Sequence, residues 1–337
     1  CPGAPRARTL VRMNTAARTD VRLSMLDLST LADGSTSSDA LNTTTSLAIR
    51  AEQLGFTRFW VAEHHNGPSV ACTSPAVLVA HLAARTERIR VGSGGVMLPN
   101  HSPLLVAEQF AMLEALHPHR IDLGIGRAPG TDQATAAALR RSPDRLGADD
   151  FPHDLIDLMG LLGDARTDRG MWNQFRATSA ATSAPPIFLL GSSNYSAQLS
   201  AQLGLGFAFA HHFAMHHDMA GTLQASEIYH RMFRPSPALP EPYLIVSASV
   251  MAADSAEEAQ WQAAPSRLIE LGRRSGRSTP LLPPAVAAAH PDIDQANGMP
   301  SNRIIGAATS VAEQLRDLAA QTRARELMIT AVAYDLE

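Results

Sequence analysis

Eight short β-type runs alternate with amphipathic helical stretches along the chain, and this alternation constrains the fold more than any other feature of the sequence. It is typical of repeated βα units that build a parallel sheet. The predicted strands are residues 21–26, 56–61, 89–96, 120–124, 187–190, 206–209, 244–252 and 326–331. Because eight alternations suit a closed ring better than an open sheet, we predict an α/β fold, a single (β/α)₈ TIM barrel.

Helical patterns lie between these strands, for example at residues 38–54, 74–84, 103–116, 195–203 and 255–275. Two connections are too long for ordinary loops. Residues 127–186, after the fourth strand, are predicted to be an insertion that includes a helix at 151–162. Residues 275–304, before the last helix, are predicted to be a second insertion, whose Pro-rich part at 281–300 forms a mobile lid.

The predicted domain extends from residue 21 to residue 337, since a chain of 337 residues with 45% apolar content can bury the core of one large barrel. Residues 1–20 contain several arginines and no apolar segment of the secretory type, so we expect a disordered leader. The sequence ends shortly after the eighth predicted strand, and the usual final helix is therefore expected to be missing or shortened.

The charge and residue usage exclude several classes of function. The 28 basic residues are all arginine and oppose 32 acidic residues, which leaves a net charge of −4. Such a balance holds neither nucleic acid nor an anionic membrane, so we expect a small-molecule partner. The absence of lysine excludes a GxxxxGK phosphate loop and a Schiff-base lysine. Cys1 and Cys72 are too few for a disulfide framework, which fits a reducing cytoplasm.

Polar residues follow five neighbouring predicted strands, at the ends where barrel enzymes place their active sites. These segments are Glu63-His64-His65-Asn66, then Gly92 to Gly95 with Met97-Leu98-Pro99-Asn100-His101, then Gly124-Ile125-Gly126-Arg127, then Gly191-Ser192-Ser193-Asn194-Tyr195-Ser196, and finally His211-His212. Because the carboxyl ends of parallel strands meet at one mouth, we predict a single active site there.

Two of these segments suit an anion. Arg127 follows a Gly-x-Gly that lets the backbone approach a ligand, and its guanidinium can hold a phosphate with two hydrogen bonds. A rim ion pair with Asp122 or Asp132 is the alternative. Ser192 and Ser193 begin a helix, with Ser196 one turn in, where free amides and the helix dipole favour an anion. The alternative there is a plain helix cap.

The histidine-rich segments could also be metal sites. Glu63-His64-His65 is one candidate, and the segment from His211 to His217 is the other. No cysteine and no spaced acid pair completes either set, and vicinal histidines at a strand end point to opposite sides. We therefore predict that the chain has no metal site.

Four motifs carry a resemblance to a known family: FWVAEHH, VGSGGVMLPNHSPLLVAEQFAMLEAL, RIDLGIGRAPG and LLGSSNYSAQLSAQLGLGFAFAHHF, in this order. Together they resemble bacterial luciferase-like, FMN-dependent monooxygenases, and most of all the subfamily that includes an oxygenase of the mensacarcin antibiotic pathway. The resemblance extends from about Val21 to Leu223 and returns around Glu326. It implies that reduced FMN activates O₂ as a flavin hydroperoxide and oxygenates a small organic substrate, with antibiotic or polyketide biosynthesis as a possible setting.

The resemblance also implies roles for individual residues. His64 would be the catalytic acid/base group, with Glu63 as a contact of the flavin ring or a support behind it. Gly94-Gly95 matches the place where the family has a non-proline cis peptide under the flavin, although an ordinary bulge fits the residues equally well. The remaining expected flavin contacts are the phosphate-binding set Arg127, Ser192, Ser193 and Ser196, together with His211. His211 departs from the family, which has a flavin-facing tryptophan there.

Two partners and two rival functions complete the expectations. GSGGVM lacks the spacing of a nicotinamide-binding GxGxxG, so a separate reductase would supply reduced flavin. The resemblance also implies a homodimer, since similar proteins pair through the helices after strands two and three. One rival is a deazaflavin (F420)-dependent oxidoreductase on the same barrel, against which the Glu-His-His triplet argues. The other is a non-catalytic flavin-binding protein or inactive subunit, which His64 and Arg127 disfavour.

Overall fold

A computed structural model of the chain contains the predicted barrel. It describes residues 21–128, 130–140, 150–167, 173–177, 182–213, 219–277 and 280–334, so the predicted leader lies outside the described residues. The strands are β1 (Arg22–Asp27), β2 (Arg58–Val61), β3 (Arg90–Met97), β4 (Ile121–Gly126), β5 (Ile187–Gly191), β6 (Gly206–Phe209), β7 (Leu244–Ala253), β8 (Ile304–Ala307) and β9 (Glu326–Thr330). All pair in parallel, and eight of them close a ring in the order β1 to β7, then β9, then β1.

The ninth strand, β8, lies outside the ring. It pairs with Val250 to Ala253, the last residues of the long strand β7, whose earlier residues pair with β6 and β9. The strand β8 was missed because its residues begin where the predicted insertion ends, at Ile304, and lead directly into a helix. The barrel prediction is confirmed, and each of its eight strands overlaps the predicted one.

The described helices surround the ring. They are α1 (Ser37–Gln53), α2 (Pro75–Arg85), α3 (Pro103–Leu116), α4 (Gln133–Arg140), α5 (Phe151–Leu161), α6 (Asn194–Leu203), α7 (Met219–Met232), α8 (Ala256–Arg274), α9 (Pro284–Ala288), α10 (Ile293–Asn297) and α11 (Ala308–Thr322). Proline at the first turn favours the starts of α2, α3, α5 and α9. No helix among the described residues is both long and apolar enough to cross a membrane.

The Pro-rich segment at 281–300 is packed onto the barrel's outer helix α8. Ala287 of α9 and Ala296 of α10 form a small apolar cluster with Ala264, Leu268 and Leu271 of α8. At its start, the carbonyl oxygen of Leu281 accepts a hydrogen bond of 2.9 Å from the amide of Asp33. The predicted lid therefore has anchors of its own, and its mobility stays a prediction.

The interior of the ring is filled with side chains. Trp60 and Phe188 meet edge to face with their ring centres 5.2 Å apart, and Leu26, Ile245 and Met328 pack around them. Two larger apolar clusters lie between the strands and the outer helices. The interior of the ring is thus a packed core, and a ligand of the barrel itself can bind only at the ends of the ring.

A buried ionic network closes the amino end of the barrel. Arg58, 4% exposed, donates to both oxygens of Glu326 at 2.6 and 2.9 Å and to Asp122 at 2.8 Å. Arg90 and the indole of Trp60 also donate to Asp122. Burial opposes the charge on Arg58, but the neighbouring carboxylates raise its pKa. All these side chains lie at or near the starts of their strands, which is the end of a barrel associated with stability.

Candidate active site

Glu63 joins the loops that follow β2 and β3 at the carboxyl end of the barrel. Its side chain is fully buried and accepts hydrogen bonds from His65 Nε2 at 2.7 Å and His101 Nε2 at 2.9 Å. The side-chain amide of Asn100 donates at 3.2 Å and the backbone amide of Met97 at 3.0 Å. Four donors on one carboxylate fix the position of both loops relative to each other.

These contacts decide the charge of Glu63. Burial alone would raise the pKa of its carboxyl group, but the hydrogen bonds and charge of His101, with the hydrogen bonds from Met97 and His65, lower it. Glu63 is therefore an anion at neutral pH. Because its side chain is fully buried under these donors, it supports the site from behind, which favours the supporting role over direct contact with a flavin ring.

The same cluster is the one set among the described residues that could hold a metal ion. Glu63, His65 and His101 each offer a ligand atom, and these atoms lie within 4.8 Å of one another. No cysteine and no spaced acid pair completes the set, as noted from the sequence, but His101 of the loop after β3 offers a third ligand atom that was not considered there. In this structure both imidazoles are hydrogen-bonded to Glu63 directly. The absence of a bound metal stays a prediction.

His64 differs from its neighbours in having a free ring nitrogen. Its Nδ1 atom is buried and has no hydrogen-bond partner in the structure. The backbone amide of His64 donates a hydrogen bond of 3.1 Å to the carbonyl oxygen of Cys72, which fixes the backbone that carries the His64 ring. Burial lowers the pKa of His64, and this effect outweighs the negative charge of Glu63, which raises the pKa. His64 is consequently a neutral imidazole at pH 7, with a pKa below the ordinary value of 6.5.

Gly94 and Gly95 form an irregular part of β3 beside this loop. The peptide bond between them is cis, and the pairing of β3 with β4 shifts register between Ser93 and Val96. A Cβ atom on Gly94 would lie 2.8 Å from Leu26, and one on Gly95 would lie 2.7 Å from the carbonyl oxygen of Gly124. A side chain at position 95 would therefore collide with backbone, whereas one at position 94 would require the Leu26 side chain to shift. Contact of the pair with a flavin ring stays a prediction.

Arg127 follows β4 at the same end of the barrel. Its guanidinium lies over the ring of Tyr195 in the first turn of α6, 4.6 Å from the ring centre, and the side chain is exposed. The alternative ion pair with Asp122 is wrong, because Asp122 lies near the start of β4 and is bound to Arg58 and Arg90. Asp132, the other proposed partner, accepts hydrogen bonds from Thr135.

The start of α6 presents amide groups beside Arg127. Ser193 is the N-cap residue with extended backbone angles, but its hydroxyl makes no capping hydrogen bond. Ser192 and Ser193 are exposed, whereas Ser196 is buried against Gly191. The structure therefore brings Arg127 and the exposed helix start together as predicted, while Ser196 packs behind them.

His211 and His212 form a short helical turn directly after β6. His211 is 6% exposed, and its Nδ1 lies 2.8 Å from the hydroxyl of Thr222 in α7. His212 Nδ1 lies 2.6 Å from the hydroxyl of Ser247 in β7. Burial, with the charges of His211, Arg273 and Arg303, lowers the pKa of His212 to about 3. His216 and His217, from the second metal candidate, lie outside the described residues.

With this geometry in place, comparison with known proteins decides the family. The model of the luciferase-like monooxygenase family matches residues 21–326. The chain belongs to this family. It is 42% identical to YvbT of Bacillus subtilis over 334 residues, covering 96% of this chain and 95% of YvbT. It is 40% identical to the luciferase-like monooxygenase of Escherichia coli strain K12 over 322 residues, covering 94% and 92%.

A solved relative supports the same assignment. The structure of apo-MsnO8 superimposes on this chain with a TM-score of 0.83 and 35% sequence identity, and covers 94% of this chain and 93% of MsnO8. The resemblance stated from the four motifs is thus confirmed. Membership in the family also confirms the coarse prediction of monooxygenase activity.

Three features of the site were not predicted. His101 and Asn100 were noted as polar residues after the third strand, but no role was assigned to them. Tyr195 was noted in the same way, and its stacking under Arg127 was missed. The signal for all three was their place at a strand end, which indicates proximity to the mouth but does not identify a partner.

Proposed function

We propose that the protein is a monooxygenase that takes reduced FMN from a separate flavin reductase and transfers one oxygen atom of O₂ to a small organic substrate. His64 carries the proposal: a partly buried imidazole at the mouth of the barrel whose Nδ1 has no partner within the protein. An unsatisfied buried nitrogen has a cost, and at the mouth of a barrel it indicates a group reserved for a ligand.

The residues present fit FMN. Arg127 and the amides at the start of α6 form a positive, exposed group suited to a phosphate. The oxygenating constituent of 3,6-diketocamphane monooxygenase, a fold neighbour with a TM-score of 0.67 and 17% identity, was solved with FMN. When bound, reduced FMN would supply the electrons that activate O₂.

The chain's own residues would then position groups and move a proton. Glu63 holds the loops after β2 and β3, so the backbone that carries His64 keeps its place at the mouth. Because His64 is neutral at pH 7, its imidazole would accept or return a proton at the reacting group. The packed interior of the barrel closes the floor of the site and keeps water out from below.

The choice of cofactor separates this proposal from its rival. An F420-dependent secondary alcohol dehydrogenase shares the fold with a TM-score of 0.63 and 14% identity. The N-acetyl-S-alkylcysteine monooxygenase of Bacillus subtilis, in contrast, is 44% identical over 194 residues, covering 57% of each chain. We therefore favour oxygen transfer over hydride transfer.

The proposal is tested by titrating the purified protein anaerobically with reduced FMN and then adding oxygen. We expect saturable binding, followed by slow reoxidation with an oxygenated flavin spectrum that rapid-mixing absorbance detects. Binding of reduced F420 in preference to FMN would contradict the proposal, and so would FMN binding with reoxidation no different from that of free flavin.

Replacing Arg127 by alanine should remove the preference for a phosphorylated flavin. Loss of a charge-assisted hydrogen-bond pair costs about 1.5–3 kcal/mol, so we expect roughly tenfold to hundredfold weaker FMN binding. Fluorescence titration should give similar affinities of the variant for FMN and riboflavin. Arg231→Ala, an exposed arginine on α7, is the matched control and should bind FMN like the parent. Retention of the preference for FMN would place the phosphate elsewhere.

Apolar side chains on α2 and α3 support the expected homodimer. Val77 is 70% exposed, Leu105 48%, Met112 59% and Leu116 64%. The last three share one face of α3, at spacings of seven and four residues. An exposed apolar stripe like the one on α3 indicates a protein contact. Light scattering at micromolar concentration should give a dimer, and Met112→Glu should give a monomer.

Leu54→Glu provides the control for this prediction. Leu54 is also 59% exposed but is the C-cap residue of α1 and belongs to neither α2 nor α3. The variant should remain dimeric. A monomeric parent, or equal effects of the two substitutions, would contradict an interface on α2 and α3.

A further inference from the structure

A cavity of about 230 Å³ lies outside the barrel ring, between α8, α10, β8 and α11. Its wall is largely polar and includes Arg267 and Glu270 of α8, Asn297 of α10 and Arg303 before β8. None of the residues assigned above to flavin binding or catalysis lines it. The cavity is therefore separate from the candidate active site.

Arg267 carries a charge without a carboxylate beside it. Its guanidinium donates to the side-chain oxygen of Asn297 at 2.5 Å and to that of Gln260. Both partners are neutral. Over the ranges that the structure describes, no acidic side chain forms an ion pair with Arg267. This guanidinium could pair with an anion that enters the cavity.

The second guanidinium in the wall shares its carboxylate. Arg303 lies 3.0 Å from Glu270, and Arg274 lies 2.5 Å from the same carboxylate. Arg303 also donates to the hydroxyl and carbonyl oxygens of Ser266. Arg303 and Arg274 thus share one carboxylate, and Arg267 adds a third positive charge, which leaves an excess of positive charge around the cavity.

This excess of positive charge is unfavourable where the guanidinium groups are partly buried. Burial lowers the pKa of Arg303. The positive charges of Arg267 and Arg273 lower this pKa further, whereas the negative charge of Glu270 raises it. Burial likewise lowers the pKa of Arg267. Like charges held together in a partly desolvated place are stabilised by a counter-charge.

We propose that this cavity binds a small organic anion whose carboxylate or phosphate group pairs with Arg267 and Arg303. Planar guanidinium groups match the geometry of both oxyanions. Ala296, Met299 and Ile305 in the same wall can contact an apolar part of the ligand. The volume is below the roughly 300–1,000 Å³ of drug-sized sites, which indicates a small metabolite.

The bound anion would also join separate elements. Asn297 belongs to α10, within the segment at 281–300. Arg267 belongs to α8, and Arg303 directly precedes β8. A ligand held between them would fasten this segment to α8 in addition to the apolar cluster. Anion binding should consequently stabilise the folded protein.

Isothermal titration calorimetry with inorganic phosphate and with glutarate tests the proposal, at constant ionic strength set by chloride. The titrations use an Arg127→Ala background, so that phosphate bound near α6 is not counted. Adding Arg267→Gln should weaken binding about tenfold or more, since a charge-assisted pair is lost. Adding Arg231→Gln, which makes the same charge change on α7, should leave the affinity unchanged.

The two probes separate the sources of the oxyanion. Saturable binding of phosphate alone would indicate a phosphate ester, and binding of glutarate alone would indicate a carboxylate. The proposal is overturned if neither anion binds saturably, if Arg267→Gln binds as tightly as its parent, or if Arg231→Gln weakens binding equally. Circular dichroism of each variant establishes that it is folded. Since FMN titration reports on the other site, this outcome does not depend on the proposed function.

Discussion

His64→Ala should bind reduced FMN almost normally yet form little oxygenated product. General acid–base assistance is typically worth about 10² to 10⁴ in rate, whereas loss of an imidazole that only packs in the site should change turnover far less. We therefore expect product formation to fall by at least about a hundredfold, with the reducing equivalents appearing as hydrogen peroxide. Product and peroxide, measured together against flavin consumed, check the expectation.

The pH dependence of turnover gives a second measurement. The neutral form of His64 is the competent one, and burial lowers its pKa below the ordinary value of 6.5. Activity should be flat above that value and fall as the pH decreases through the lowered pKa, and His64→Ala should lack this acid limb. His117→Ala, at the end of α3 where β4 starts, is the control. If His64→Ala made product within about threefold of the parent rate, the acid–base role would be refuted.

Arg58→Met should cause the largest loss of stability. The substitution nearly preserves side-chain volume but leaves the buried carboxylates of Asp122 and Glu326 without their shared cation. Breaking a buried pair by removing one partner costs about 3–5 kcal/mol. For a protein of this size the Tm should fall by on the order of 5–10 °C. Thermal unfolding followed by circular dichroism measures the change.

Two further variants show whether the unpaired charge is the cause. Arg88→Met makes the same substitution at a side chain that is 72% exposed and 3.7 Å from Glu87, so the Tm should hardly change. Arg58→Met combined with Glu326→Gln removes one stranded charge and should recover part of the lost stability. A double variant no more stable than Arg58→Met alone would show that packing, and not charge, dominates.

Much of the barrel could be predicted because buried parallel strands leave a strong local signal. Runs such as residues 206–209 are short, apolar and bounded by turn residues, so both existence and position were readable. The strand β8 lacks this local signal, because Ile304 to Ala307 leads directly into a helix and no turn marks its end. Its pairing with β7 depends on a partner that is distant in the sequence.

The candidate site was predicted in its location but not in its contacts. The rule that strand ends converge placed His64, Arg127 and the start of α6 at one mouth. Glu63 and His101 are 38 positions apart, and nothing local specifies that one accepts a hydrogen bond from the other. The buried ion pair of Arg58 and Glu326 could not be predicted for the same reason, because the two residues are separated by 268 positions. Such pairs are fixed by ring closure, which acts only on the folded chain.

The ionic network at the amino end of the barrel has a consequence for protein engineering. The charges that hold the ring together lie at one end of the strands, and the candidate active site lies at the other. Substitutions at well-separated positions usually have independent effects on free energy. Libraries that vary the loops after β2, β3 and β6 to change substrate range should therefore leave this anchor intact. Directed evolution of the mouth can thus begin from the parent barrel without a separately stabilised scaffold.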